Sequence, residues 1–340
     1  MKIGILTFHW ATNYGAVLQC YALQEYLRDQ GYDVEVINYK PGKFDFWFKY
    51  LRRPWLIKNL YKDLIAKRKE NHLINFRNQY LKMSKRVKSI CQLTQLDDKY
   101  DVVISGSDQI LNPSFTLGGE DKPTPAYYLD SFRKSLRIGY AVSFGCNSYP
   151  QDALIYAKKW INNFDKIGVR EVTGISVLEQ MDYCRTKTVV PDPTVLMGSK
   201  LFRDIKIEYP SVENYYCAYI LRKHIIIGSE NVIYIDDYNN PLSMQKWLGN
   251  IIGSLGLLTN SYHGMIMAIL NHIPFLVLAD AQNMNDRFNT LLSRIGLMDR
   301  MVTELANFES LMHKPINWLS VEDKMQEFRK EGEQLLKFDI

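Results

Sequence analysis

The sequence predicts an α/β protein built from two open parallel sheets, and three stretches carry that expectation. The first is the opening β–loop–α–β unit over residues 2–39. The second is a series of apolar strands that each run into a polar residue at the carboxyl end. The third is residues 257–275, LLTNSYHGMIMAILNHIPF, which reads as strand, turn, helix and return strand. Parallel sheets of this kind gather ligands at the carboxyl ends of their strands.

In chain order, KIGILTF (2–8) is the first strand and VLQCYALQEYLRDQ the first helix, closed by Gly31. DVEVINY is the second strand. The loop between strand and helix contains Asn13 and Gly15; it lacks GxGxxG, so it reads equally as a ligand loop or a plain tight turn. YDVVIS (100–105) runs into Gly106-Ser107-Asp108-Gln109, and LRIGYAVSF (136–144) reaches Ser143. A helix over 151–164 leads to KIGVRE, which ends at Arg170 and Glu171, with Thr173 or Gly174 capping the next helix. TKTVVPDPTVL places Asp192 between two prolines. Residues 199–214 read as a linker. The second half has strands YYCAYIL and NVIYID, the helix SMQKWLGNIIGS, and then the 257–275 unit. Asp286-Arg287-Phe288 opens a helix just beyond the last strand, and 321–338 is a charged amphipathic terminal helix. The expected domains are 1–205, with a helical insert over 42–90, then 206–320, then the final helix over 321–340.

With 340 residues, 46% of them hydrophobic, the chain can bury a core large enough for two domains. No apolar run approaches the roughly 18–20 residues that span a bilayer. The start, MKIGILTFHW, has no signal-peptide h-region. The five cysteines (Cys20, Cys91, Cys146, Cys184, Cys217) form no CxxC, so reduced thiols, a cytoplasmic location and no metal site are expected. The net charge of +5 is uneven. Residues 44–88 interleave Trp47, Phe48, Tyr50, Trp55 and Tyr61 with Lys and Arg and hold three acids, Asp45, Asp63 and Glu70. That composition suits an anionic membrane surface or an acidic substrate, and equally a set of solvated helices packed by their apolar sides. No motif for nucleic acid accompanies it.

Ser261, Tyr262, His263 and Gly264 fall in the first turn of a helix, where free N–H groups and the helix dipole favour an anion. Gly264 would let a ligand approach the backbone, and His263 could donate to an anion or hand over a proton. The plainer reading has His263 only capping its helix. Arg170 suits a carboxylate or phosphate held by a bidentate fork, and equally an internal ion pair with Glu171 or Asp192. Arg287 faces the cleft or is a surface residue at a helix start.

Two α/β halves facing across a cleft give the GT-B architecture of two Rossmann-like domains. Within it lies an ordered set of short motifs: NYGAVLQCYALQ (13–24), GSDQILN (106–112), SFG (143–145), VRE (169–171), PDPTVL (191–196), WLG (247–249), TNSYHG (259–264), IPF (273–275) and DRF (286–288). In order and spacing this set resembles the polysaccharide pyruvyl transferase family, over residues 2 to about 300. The resemblance implies transfer of a pyruvyl group from phosphoenolpyruvate to a sugar of a surface polysaccharide or its precursor, forming a ketal, with no cofactor beyond that co-substrate. It implies a donor site of Arg170, Ser261, His263, Gly264 and Arg287, with His263 as proton donor. It also implies an acceptor side of Asn13, Gly15, Ser107, Asp108 and Ser143, with Asp108 as base. A lipid-linked acceptor would add peripheral contact with the inner membrane face through 44–88. The chain departs from the family pattern at YYCAYILRKHIIIGSENVIYIDD, which leaves no room for a full helix between two strands, so the second domain is expected to be trimmed. Two other classes stay open: a glycosyltransferase of the same GT-B architecture using a sugar nucleotide, and a non-catalytic glycan-assembly protein.

Overall fold

The computed structural model describes the chain apart from residues 46–59, 119–122, 223–224, 226, 228–230, 236–239, 280–284, 306–307 and 339–340, and the side chains of residues 43, 62, 65 and 66. Two parallel sheets organise it. The first has the order β2-β1-β3-β4-β5-β6, comprising β1 (Lys2–Leu6), β2 (Asp33–Val36), β3 (Val102–Asp108), β4 (Leu136–Val142), β5 (Lys166–Val169) and β6 (Thr186–Val189). The second runs β11-β10-β9-β7-β8, with β7 (Tyr216–Tyr219), β8 (Val232–Tyr234), β9 (Gly256–Thr259), β10 (Phe275–Leu278) and β11 (Met301–Val302). Helices cover both faces, which is why β1, β3 and β9 are buried along nearly their whole length rather than at alternate residues.

The two-sheet expectation holds, with local corrections. β10 is not the last strand: β11 follows the helix Asp286–Ile295, and two residues are too few to show a period. The helix Thr173–Gln180 is preceded by Val172, which makes no side-chain cap bond, so neither Thr173 nor Gly174 acts as its cap. β7 and β8 are adjacent parallel strands, and the connection between them, on which the trimmed-domain expectation falls, lies partly outside the described residues.

Residues 46–59 of the basic, aromatic insert lie outside the described residues, so the membrane-facing expectation rests partly beyond them. The described part is the helix Leu60–Tyr80. Tyr61 and Leu64 are exposed, but Leu73, Phe76 and Arg77 are buried, and Arg77 donates to the His9 carbonyl (3.0 Å). The chain then returns along β2 through bridges at Val36–Met83 and Tyr39–Val87, shielding that sheet edge. No helix among the described residues is long and apolar enough to cross a membrane.

The two halves share one apolar core, in which Tyr14, Val17 and Tyr21 of the first helix (Tyr14–Asp29) join Trp247, Met265 and Ile266. Tyr14 is the joint: its ring stacks on Trp247 (5.0 Å, 12°) and its hydroxyl donates to the Leu242 carbonyl (2.6 Å). The terminal helix Trp318–Leu335 ties the halves a second time. Arg294 pairs with Glu331 on the second-domain side, and Arg329 donates to the Val195 carbonyl on the first.

Trp247→Ala should destabilise the protein by about 3–5 kcal/mol, the usual range for a large aromatic removed from a core. In urea unfolding, Tyr14→Ala combined with it should cost less than the two single changes added, by about 0.5–1.5 kcal/mol. Strict additivity would show that the stack is not the joint.

Candidate active site

Register brings the polar strand ends into line. Asp108 of β3 pairs with Val142 of β4, and Val142 pairs with Val169 of β5. Asp108, Ser143 and Arg170 therefore leave the sheet side by side at its carboxyl edge. Asp192 joins them as N-cap of the short helix Pro193–Met197 that follows β6. From the second domain, the N-termini of the helices Tyr262–Leu270 and Asp286–Ile295 face this edge.

Asp192 sits at the centre and has no exposed surface. Its Oδ1 accepts from the Thr194 N–H (3.0 Å) and hydroxyl (2.7 Å). Its Oδ2 accepts from the Ser107 hydroxyl (3.2 Å) and Arg170 Nη1 (3.3 Å), and lies 3.4 Å from His263 Nε2. Burial by itself would raise this carboxyl, but His263, Arg170 and the Thr194 N–H outweigh it and hold Asp192 well below the ordinary carboxylate range.

Arg170 is also buried. Besides Asp192, it has Glu171 Oε2 at 3.8 Å from Nε and Asp108 Oδ1 at 4.0 Å from Nη2. Burial opposes its charge, yet Asp192, Glu171 and Asp108 together hold it more firmly protonated than usual. Both partners that the ion-pair reading named are thus present, but they do not saturate the group. Arg170 Nε, Glu171 Oε2, His263 Nε2 and Arg287 Nε are all buried without a hydrogen-bond partner. Arg170 Nε and Glu171 Oε2 face each other as an ion pair at 3.8 Å and His263 Nε2 faces Asp192 at 3.4 Å, so the cluster is held by charge with few close hydrogen bonds, an unusual state for a native interior.

Tyr262 brings the cations together. Arg170 lies 5.1 Å and Arg287 5.8 Å from the centre of its ring. Burial, and then the nearby Arg170, work against the charge on Arg287. An anion between the two guanidiniums would relieve both.

His263 crosses the domain boundary. A Cβ built on Gly15 would lie 2.0 Å from His263 Nδ1, so the bare backbone at Gly15 is the socket for this ring. Gly15 therefore does not face an open acceptor space, as the sequence suggested. Gly264 is likewise closed in on the side where a side chain would project. Its missing side chain leaves room for Thr259, Ser261 and Tyr219 within its own domain, with no ligand needed. Ser261 is the N-cap, accepting from the Gly264 N–H (3.2 Å); the N–H groups of Tyr262 and His263 have no acceptor within the helix.

The acceptor-side expectations separate. Asn13 is exposed and caps the first helix through the Ala16 N–H (3.2 Å). Asp108 keeps part of its surface. Ser107 does not reach an open surface: it is wholly buried, bonded to the Ala141 carbonyl, to Asp192 and, through its N–H, to Gln19. Ser143 is buried beside Glu171. Sequence reasoning placed Asp192 in the series of polar strand ends along one rim of the cleft and offered it and Glu171 as ion-pair partners of Arg170; it gave Tyr262 no role. The Asp-Pro start of a helix was the available signal for Asp192. Tyr262 carried none, because its part depends on an arginine from each domain.

A family model for polysaccharide pyruvyl transferase matches residues 13–281. The chain belongs to the polysaccharide pyruvyl transferase family. No curated protein matches it significantly. Among solved structures, this pyruvyl transferase resembles a putative UDP-N-acetylglucosamine 2-epimerase from Listeria monocytogenes (TM-score 0.53, 9% identity, 97% of this chain and 90% of that one). It also resembles the UDP-GlcNAc 2-epimerase from Neisseria meningitidis bound to UDP-GlcNAc (TM-score 0.51, 10% identity, 100% and 95%). At such identities the likeness concerns the fold, two Rossmann-like domains facing a cleft. All the motifs that carried the family resemblance, apart from 286–288, lie within the matched span.

Two predictions follow from the Asp192 and Gly15 contacts. Asp192→Asn removes the carboxylate nearest to Arg170, the one that also bonds Thr194 and Ser107, and should cost about 3–5 kcal/mol near neutral pH. Because the folded carboxyl lies below its unfolded value, its stabilisation is present above about pH 4 and is lost as pH falls toward the folded value. Stability measured against pH should therefore drop less steeply below about pH 4 in the variant. Gly15→Ala should displace the His263 ring. A changed His263 imidazole resonance in NMR, in a protein that still unfolds cooperatively, is the expected outcome; an unchanged resonance would refute the socket.

Proposed function

We propose that this pyruvyl transferase takes its pyruvyl group from phosphoenolpyruvate and places it as a cyclic ketal on a sugar of a surface polysaccharide or its precursor. The observation that supports this most is the gathering of three buried cation-forming side chains, Arg170, His263 and Arg287, at the N-terminus of the Tyr262–Leu270 helix, each with a ring or guanidinium nitrogen that makes no close hydrogen bond. An enol phosphate that also bears a carboxylate presents two anions at short range. Two guanidiniums held at one aromatic ring, with helix N–H groups beside them, suit that pair.

In this reading Arg170, Arg287 and the helix start at Ser261 hold the donor's anions, and His263 gives a proton to the methylene carbon. The C2 centre that becomes electron-poor is attacked by a sugar hydroxyl with Asp108 as base. The C2–O bond to phosphate breaks with its electron pair on the phosphate, and a second hydroxyl closes the ring. Of the two hydroxyl protons, one replaces the proton given to carbon and the other leaves on the phosphate. Asp192 supports the proton donor by fixing the imidazole from one side while Gly15 receives it on the other.

Calorimetric titration with phosphoenolpyruvate is the deciding experiment. Wild type should bind, and Arg170→Ala and His263→Ala should each weaken binding at least tenfold, since a charge-assisted hydrogen bond is worth about 1.5–3 kcal/mol. A wild type that ignores phosphoenolpyruvate and binds a nucleotide sugar would replace this reading with a glycosyltransferase one.

A further inference from the structure

The cluster already holds three carboxylates before its proposed donor, itself an anion, arrives. Asp108, Glu171 and Asp192 stand against Arg170 and Arg287, with His263 able to add one positive charge. Asp192 is fully engaged by Thr194, Ser107 and Arg170. Asp108 keeps access to solvent, and its Oδ1 accepts from the Gln109 N–H (2.8 Å). Glu171 differs from both. It is buried, its Oε1 accepts from the Phe144 N–H (3.3 Å), and its Oε2 makes no hydrogen bond, its nearest charge being Arg170 Nε at 3.8 Å.

The groups that face it come from every neighbouring element: Arg170 from its own loop, Ser143 and Cys146 from the loop after β4, and Arg287 and Tyr262 from the second domain. Burial pushes this carboxyl above its ordinary range, and Arg170, Ser143 and Arg287 offset that only in part. A donor whose phosphate and carboxylate take over the two guanidiniums would remove the very charges that favour an ionised Glu171.

We infer that Glu171 takes up a proton as the donor enters and stands in the loaded site as a neutral carboxylic acid, its Oε2 becoming a hydrogen-bond donor toward the anion. This rests on the phosphoenolpyruvate reading. Its consequence is thermodynamic: uptake of one proton on binding makes donor affinity fall by up to about tenfold for each unit of rising pH. Glutamine is neutral at every pH and carries an N–H donor in the same place, so Glu171→Gln should mimic the loaded form.

The test is phosphoenolpyruvate titration of wild type and Glu171→Gln, in two buffers of different ionisation enthalpy, between pH 6 and 8.5. The variant should take up about one proton fewer, and it should bind at least as tightly as wild type at pH 8. Differencing the two proteins cancels protons carried by the donor's phosphate. Equal proton uptake in both would overturn the inference while leaving the donor assignment standing. No binding by wild type would overturn the two together. Should the variant not fold, the infrared difference spectrum of wild type with and without phosphoenolpyruvate decides. A new protonated-carboxyl band that strengthens with the bound fraction supports the inference, and its absence refutes it.

Discussion

The buried carboxylate of Asp192 is the constraint on which the site depends. A charge with no exposed surface is tolerated only when it is paired and hydrogen-bonded. Here the pairing is done by groups that begin far apart in the chain. Thr194 comes from its own helix turn, Ser107 from β3, Arg170 from β5, and His263 from the other domain. Satisfying that single carboxylate fixes the relative position of three strand ends and one helix start. The apolar core alone would leave more freedom, because non-directional burial specifies proximity but not orientation.

The boundary between the domains is correspondingly mixed in character. Its apolar part is the Tyr14–Trp247 stack, and its polar part is the His263 ring seated at Gly15 and facing Asp192. Tyr14 and Gly15 are neighbours in the first turn of one helix, so a two-residue segment meets the second domain by both kinds of contact. That explains why this turn cannot be read as a loop for ligand alone. Its glycine and its aromatic both answer to the partner domain.

Much of the fold was legible because parallel sheets write themselves as short apolar runs that end in polar residues, and each of the main strands did so. What escaped was what a single stretch cannot encode. β11 has two residues and no period. The meaning of Gly15 lies in a ring 248 positions away, which local spacing does not register. Arg170 could be read as an anion grip or an ion pair, and the structure contains the pairs while its Nε makes no hydrogen bond. The sequence held neither distance, so the two readings stood level there; the pairs are now seen, and the grip belongs to the proposal.

The start of the Tyr262–Leu270 helix is held from the neighbouring strand as well as from its own. The connection from β7 to β8 lies at an edge of the second sheet, two strands from β9, which leads into that helix. The end of β7 is pinned where it passes the site. Asn260 accepts from the Leu221 N–H (2.6 Å) and donates to the Leu221 carbonyl (3.0 Å), while Thr259 donates to the Tyr219 carbonyl (2.7 Å). These three bonds tie the end of β7 to the residues just before Ser261 and satisfy backbone groups that would otherwise be left open at the strand end. The approach to His263 is therefore ordered by β7 and β9, not by the β8 edge.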